Sequence, residues 1–277
     1  MRYAFITTNF DYCGDARLLS ELAHEAEEAG WDAFFLWDHL QFGGEPTVDP
    51  WVALSAMAMT TERIHLGPMI TPLSRRHIPK LARETVSLDR LSNGRLILGV
   101  GAGDANQAEY TAFGDFGTPR ERADRLDEGL DLLTALWSGE PVNHNGTYFQ
   151  AETKGFAPPL QEPRIPIWVA ARWPAKRPMR RAAQWEGIIP LHSRAGQGEV
   201  MSPDELRQTV EYVSEHRRQE GPYDVANFGV TRDADDRSSV EAFAEAGATW
   251  WVEGVFTWMM DLDYTRTRIR NGPPRIG

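Results

Sequence analysis

The segment Arg63–Asp104, RIHLGPMITPLSRRHIPKLARETVSLDRLSNGRLILGVGAGD, holds a strand, a glycine-proline turn, an amphipathic helix, an Asn-Gly stop and a second strand in one run. Ile64–Thr71 is apolar and rich in β-branched residues, and Pro79 stands where a first helical turn tolerates a missing N–H. Ile78, Leu81, Leu88 and Leu91 recur at helical spacings, which predicts a shared buried face, with Lys80, Arg83, Glu84 and Asp89 on the wet side. Asn93-Gly94 ends the helix, because the residue after a helix C-terminus commonly needs positive φ. Arg95–Val100 is the next strand, and this order predicts a parallel pair with a right-handed crossover.

The same unit repeats on both sides. The apolar strand centres Phe5, Phe35, Leu66 and Ile97 are separated by 30, 31 and 31 residues, a period that signals repeated βα units. A helix starts at the N-cap Asp15 and runs through Leu18, Leu22, Ala26 and Ala29 to Gly30, and a second starts at Asp49-Pro50. Ala105–Gly117 reads as a loop. Thr118 and Glu121 then form a capping box ahead of a helix through Leu126, Leu130 and Leu133 to Trp137. Val142–Ala151 breaks the alternation with a hairpin around Asn145-Gly146. The triplet Asn145-Gly146-Thr147 also fits a glycosylation acceptor, but nothing secretory accompanies it and the turn reading is preferred. Strands are predicted at Ile165–Ala170, Gly187–Leu191, Asn227–Thr231 and Trp250–Phe256. Helices are predicted at Lys176–Trp185, from the Ser202/Glu205 capping box to about Arg218, at Ser238–Ala246 and at Tyr264–Arg270. Eight strands and eight helical segments close most simply as an α/β fold, a (β/α)8 TIM barrel, one domain over residues 1–277 with short insertions.

A chain of 277 residues suits such a barrel. The formal charge is −11 and no basic run is long enough to track a phosphate backbone, so nucleic acid is not an expected partner. Met1–Phe10 lacks the pattern of a signal peptide and no apolar run approaches bilayer length, so a cytoplasmic protein without a membrane partner is expected. Cys13 is the single cysteine, which excludes an internal disulfide and a thiolate zinc cluster, and it is read as incidental.

Reactive groups of these barrels gather where strands run out into the following helices. That rule selects Asn9 to Tyr12, Asp38 and His39, Gly67 to Arg75, Gly101 to Asn106, Ala170 to Trp173, His192 to Arg194, and Glu253. His39 is the best acid–base candidate, since imidazole titrates near neutral pH, although a structural histidine fits the residues equally well. Asp38 is its neighbour, and alternation along a strand would aim the two apart. Pro68 removes a ladder donor and therefore belongs at a strand end or bulge. The glycines of Gly99-Val100-Gly101-Ala102-Gly103 are spaced wrongly for a dinucleotide fingerprint, and they fit better as small residues that let a flat cofactor approach the backbone. Ala170, Ala171 and Arg172 precede a helix that opens with Lys176 and Arg177, which fits either a phosphate site or a solvated basic helix. Arg75, Arg76 and His77 form a basic rim that fits an anionic substrate or cofactor tail, with the solvated reading preferred. Metal and nucleophile motifs such as H-E-x-x-H and G-x-S-x-G are absent, and Trp250, Trp251 and Trp258 are read as packing.

The words RIHLGPMITP, LARETVSLDRLSNGR and LGVGAGD, with AEEAGWDAFFLWDHL upstream and WSGEPV and PPLQEPRIPIWVAA downstream, resemble the bacterial luciferase-like family of flavin- and deazaflavin-dependent oxidoreductases. The likeness weakens beyond Arg172. It implies hydride transfer between a bound cofactor, coenzyme F420 in preference to FMN, and a small organic substrate. The Trp-Asp-His spelling of Trp37, Asp38 and His39 points to the deazaflavin branch. By the same resemblance His39 lies near the reactive ring edge and Asp104 follows the glycine-rich strand end as the second catalytic residue, one methylene shorter than the usual acid. Pro68 and Met69 would back the ring through a non-prolyl cis peptide at Pro68–Met69. Asp38, Gly101, Gly103, Asn106, Ala170, Ala171 and Arg172 complete the expected cofactor site, with Arg172 on phosphate. Partner expectations are a homodimer and a separate reductase supplying reduced cofactor. The alternatives are an FMN monooxygenase using reduced flavin and O2, a non-catalytic flavin-binding barrel, and a barrel hydrolase. The link around Arg232–Arg237 is too short for the mobile lid of a light-emitting luciferase.

Overall fold

A computed structural model of the chain describes residues 1–103, 108–114, 117–195, 199–256 and 261–276. Its first units are β1 (Arg2–Thr7), α1 (Ala16–Glu28), β2 (Ala33–Leu36) and α2 (Pro50–Thr60), followed by β3 (His65–Pro68), β4 (Thr71–Pro72), α3 (Ile78–Leu91) and β5 (Leu98–Gly101). A short α4 (Ala108–Ala112) precedes α5 (Pro119–Trp137) and the hairpin β6 (Val142–Asn145) and β7 (Gln150–Thr153). Then come β8 (Ile167–Trp173), α6 (Lys176–Ala182), β9 (Gly187–His192), α7 (Pro203–His216), β10 (Asp224–Gly229), α8 (Arg237–Glu245), β11 (Trp250–Gly254) and α9 (Leu262–Arg270).

The parallel strands follow one another in the order β3, β2, β1, β11, β10, β9, β8, β5, β4. A bridge between Leu66 and Leu96, with Leu66 N 3.0 Å from Arg95 O and Ile97 N 2.9 Å from Leu66 O, joins the first strand to the run leading into β5 and closes the ring. Counting β3 and β4 as one interrupted stave, the chain is an eight-stave TIM barrel, as the repeat period predicts. Closure is tight at Gly67, where a Cβ would fall 1.9 Å from Ile97 O, so only glycine lets the two backbones meet.

Local signals place the helix ends. Asp15 accepts from Arg17 N and Asp49 from Trp51 N, and both predicted capping boxes, Thr118 with Glu121 and Ser202 with Glu205, are present. Asn93 and Gly94 take φ of 57° and 78° beyond α3. Two expectations for α3 fail. Leu91 is 44% exposed and Asp89 is buried, accepting from Leu160 N, Gln161 N and Gln161 Nε2. At about 100° per residue, Asp89 lies about 20° around the helix from Ile78 and Leu91 about 140°, so the buried face includes the acid and excludes the leucine. The segment read as a loop after β5 contains α4.

Alternate residues of each stave face the lumen or the helices. Ala4, Ile6, Ala33, Phe35, Met69, Ile97, Trp168, Ile189, Ala226, Trp250 and Val252 form the inner core. Trp168 packs edge-on against Phe35 and Trp250 at 5.7 and 5.2 Å, filling the lumen. Trp251 belongs to the outer core between staves and helices, so both tryptophans are packing residues, and Trp258 lies outside the described residues. No helix among the described residues is long and apolar enough to cross a membrane.

Candidate active site

Where the strands end, the inner core is paved by Trp37, Ile70, Ala170, Leu191 and Phe228, all half-buried. Gly101 lies among them: a Cβ there would stand 3.0 Å from Ile70 Cγ2 and 3.5 Å from Ala170 Cβ. This low floor of glycine, alanine and aliphatic side chains can accept a flat ring face-on, so the residues present fit a tricyclic redox cofactor. Met69 lies beneath the floor and Pro68 is buried at the end of β3. The cis peptide expected at Pro68–Met69 is found one bond later, at Met69-Ile70. The break between β3 and β4 that contains it falls after Pro68, where the proline has already interrupted the ladder.

His39 stands on the lumen side of the rim, in line with Phe35 and Trp37, and its ring centroid is 5.3 Å from that of Trp37. Its backbone is fixed by the buried Asn9, whose Nδ2 donates to His39 O at 2.8 Å and to Val48 O at 2.9 Å. Its Nδ1 lies 3.3 Å from Oε1 of Glu109 on α4. Glu109 also accepts from Leu40 N at 2.6 Å and Gln41 N at 3.1 Å, and it pairs with Arg75. Burial pushes this carboxyl up, but the His39 and Gln41 hydrogen bonds and the Arg75 charge outweigh it and hold the pKa at about 2. Glu109 was not selected from the sequence. The signal available was an acid in the helix-compatible run Ala108–Ala112 downstream of the glycines.

Asp38 has the opposite parity and points away from the lumen. Its carboxylate accepts from Thr71 Oγ1 at 2.9 Å, Arg75 Nη2 at 3.2 Å and Arg76. The Asp38 side chain is fully buried in this ion network. The solvated rim is corrected, since the Arg75 side chain is only 2% exposed and bridges Asp38 to Glu109. Arg76 is also partnered, and only His77 is exposed.

On β8, Ala170 and Arg172 share the lumen parity of Trp168, whereas Ala171 packs into the outer core, so only its backbone can reach a cofactor. Arg172 Nη1 donates to Ser193 O at 3.3 Å. Lys176 sits 4.0 Å from the Tyr212 ring centroid and Arg177 pairs with Asp124 and Asp127, so the start of α6 is spent on packing and ion pairs. Gly103 takes φ of 79°, and a Cβ there would fall 1.9 Å from Tyr110 Oη. Glu253 is a buried structural acid, accepting from Thr231 N, Thr231 Oγ1 and Trp251 Nε1 and paired with Arg268 at 3.3 Å. Asp104 and Asn106 lie outside the described residues. No cluster of three or more His, Cys, Asp or Glu side chains suited to a metal occurs among the described residues.

The chain is 36% identical over 156 residues to an F420-dependent glucose-6-phosphate dehydrogenase of Microbacterium testaceum, covering 54% of this chain and 45% of that protein. It is 38% identical over 157 residues to an F420-dependent hydroxymycolic acid dehydrogenase of Mycobacterium tuberculosis, covering 55% and 43%. The chain thus matches less than half the length of these relatives. The coenzyme F420 dependent tetrahydromethanopterin reductase of Methanopyrus kandleri superposes with a TM-score of 0.77 at 18% identity, covering 97% of this chain and 96% of that one, a likeness of fold. Residues 7–269 match the family described as luciferase-like monooxygenase, and the chain belongs to that family.

Proposed function

We propose that this protein is an oxidoreductase that uses coenzyme F420, or failing that FMN, to exchange hydride with a small organic substrate. The observation that carries the reading is the pairing of His39 with an ionised Glu109 at the edge of a small-residue floor. The F420-dependent relatives favour the deazaflavin. When bound, the cofactor supplies the hydride acceptor or donor. The protein's part is placement and proton handling. Ile70, Gly101 and Ala170 support the ring, Met69 and Pro68 back them, and Gly103, Arg172 and the Ala171 backbone contact the cofactor's side chain. Asp104 and Asn106 are proposed beside it from sequence alone. Glu109, accepting at Nδ1, orients the imidazole so that Nε2 faces the substrate and takes the proton of a hydroxyl, or returns it to a carbonyl oxygen. Asp38 acts indirectly, by fixing Arg75.

The reading extends to one domain over the whole chain, in the cytoplasm, where the single buried Cys13 gives no internal disulfide to lose. A homodimer belongs to the same proposal. A separate reductase is proposed for the FMN case, in which reduced cofactor is delivered. Fluorescence titration of the protein with F420 and with FMN tests the central reading. Saturable binding of the deazaflavin, tighter than FMN, is expected; binding of neither overturns it.

A further inference from the structure

The β1–β2 ladder stops short of His39. Its register ends with Thr7 opposite Leu36, and Trp37 N adds a last bond to Thr7 O at 3.1 Å. The two peptides that flank His39 are nevertheless held at all four of their polar groups, by side chains. Asp38 O accepts from Arg75 Nη2, and Leu40 N donates to Glu109 at 2.6 Å. The other two groups go to one residue. His39 N donates to Asn9 Oδ1 at 3.3 Å, and His39 O accepts from Asn9 Nδ2 at 2.8 Å. A carboxamide offers a donor and an acceptor side by side, as a peptide does, so Asn9 continues the ladder beyond the point where the β1 backbone supplies it.

Asn9 is fully buried and also ties the far side of the loop that follows His39. Its Nδ2 donates to Val48 O at 2.9 Å, and its own carbonyl accepts from Val48 N at 2.9 Å. His39 needs this hold because its ring makes the longest contact of those given for Glu109. Nδ1 lies 3.3 Å from Oε1, against 2.6 and 3.1 Å for the amides of Leu40 and Gln41, and the other oxygen is engaged by Arg75. N–H···O bonds cluster near about 3 Å, so a shift of roughly half an ångström takes the ring out of reach while the carboxylate stays with the amides and Arg75.

Building on the oxidoreductase reading, we propose that Asn9 is a positioning residue for proton transfer: by gripping both peptides of His39 it keeps Nδ1 on Glu109 and so leaves Nε2 toward the substrate. Asparagine suits the place because one side chain donates twice and accepts once. Aspartate of the same shape only accepts, and alanine does neither.

The test reads the imidazole directly and needs no substrate. In the full chain carrying isotope-labelled histidine, at mildly alkaline pH, proton–nitrogen correlation spectra give the ratio of Nδ1–H to Nε2–H tautomer for each histidine, and His39→Gln identifies the His39 signals. Asn9→Asp and Asn9→Ala should each lower the His39 ratio at least about fivefold, the worth of one net hydrogen bond, while the other histidines keep theirs. A merely structural Asn9 would lower the melting temperature and leave the ratio alone, so a smaller change in either folded variant overturns the proposal. Where Asn9→Ala does not fold, hydrogen exchange of the native chain decides: the His39 amide should exchange within about tenfold of the Trp37 amide, and faster exchange overturns the proposal. Titration of the native chain with F420 and FMN tests the cofactor reading separately. A cofactor that binds while the ratio is unmoved keeps that reading and removes the role of Asn9; a moved ratio with neither cofactor bound keeps the link from Asn9 to His39 and removes the cofactor.

Discussion

Glu109 Oε1 sits 3.3 Å from His39 Nδ1, and its other oxygen faces Arg75, which in turn reaches Asp38. Two acids and an arginine thus form a buried chain ending on the His39 imidazole. Fixing one ring nitrogen through a hydrogen-bonded carboxylate is a general way to set which nitrogen handles protons.

Glu109→Gln keeps the shape of the side chain and removes its charge. In the proposed reaction turnover should fall about 10- to 100-fold, the size of loss typical for a hydrogen-bonded partner that orients a functional histidine, while cofactor affinity changes little. Glu109→Asp should recover less than the native rate because the shorter arm cannot reach Nδ1. Steady-state rates beside a cofactor titration separate the two effects.

The same carboxyl makes a prediction about acid. Its folded pKa, about 2, lies below the unfolded value, so it stabilises the fold above the unfolded pKa and that contribution is lost as pH falls toward 2. The native melting temperature should therefore drop more steeply between about pH 5 and pH 2 than that of Glu109→Gln. Thermal melts at closely spaced pH values give the comparison.

Arg75→Met leaves Asp38 and Glu109 buried without their shared cation. A loss of about 3–5 kcal/mol is expected, the cost of breaking a buried ion pair from one side. Chemical denaturation measures it, and a loss below about 1 kcal/mol would mean the network behaves like an exposed pair.

Gly101→Val places methyl groups where a single Cβ already stands 3.0 Å from Ile70. The floor should rise into the ring position, lowering cofactor affinity at least about tenfold. Fluorescence titration checks this.

Gly67→Ala acts on the barrel itself. A Cβ 1.9 Å from Ile97 O forces apart the strands whose bridge closes the ring. A loss of more than about 3 kcal/mol, or failure to fold, is expected, since backbone rather than a flexible side chain must yield. Circular dichroism and denaturant titration read the outcome.

Much of the architecture lies in short-range information. The recurrence of strand centres every 30 or 31 residues, the caps at Asp15, Asp49, Thr118 and Ser202, and the stop at Asn93-Gly94 each act within a few residues, and each recurs in the fold. The rule that barrel chemistry collects at strand ends selects His39 and Gly101 as candidates. Partners were another matter. Glu109 meets His39 across 70 residues of chain and Arg75 meets Asp38 across 37. Whether a charged side chain is wet or buried depends on what arrives opposite it, and local pattern carries no such information. For that reason the local pattern points Arg75 and Asp89 to solvent, whereas both are buried. Closing the ring fixed the parity of each stave, brought α4 over His39 and set the cis bond one residue further along, because packing among distant segments, not the identity of neighbours in sequence, chose those positions.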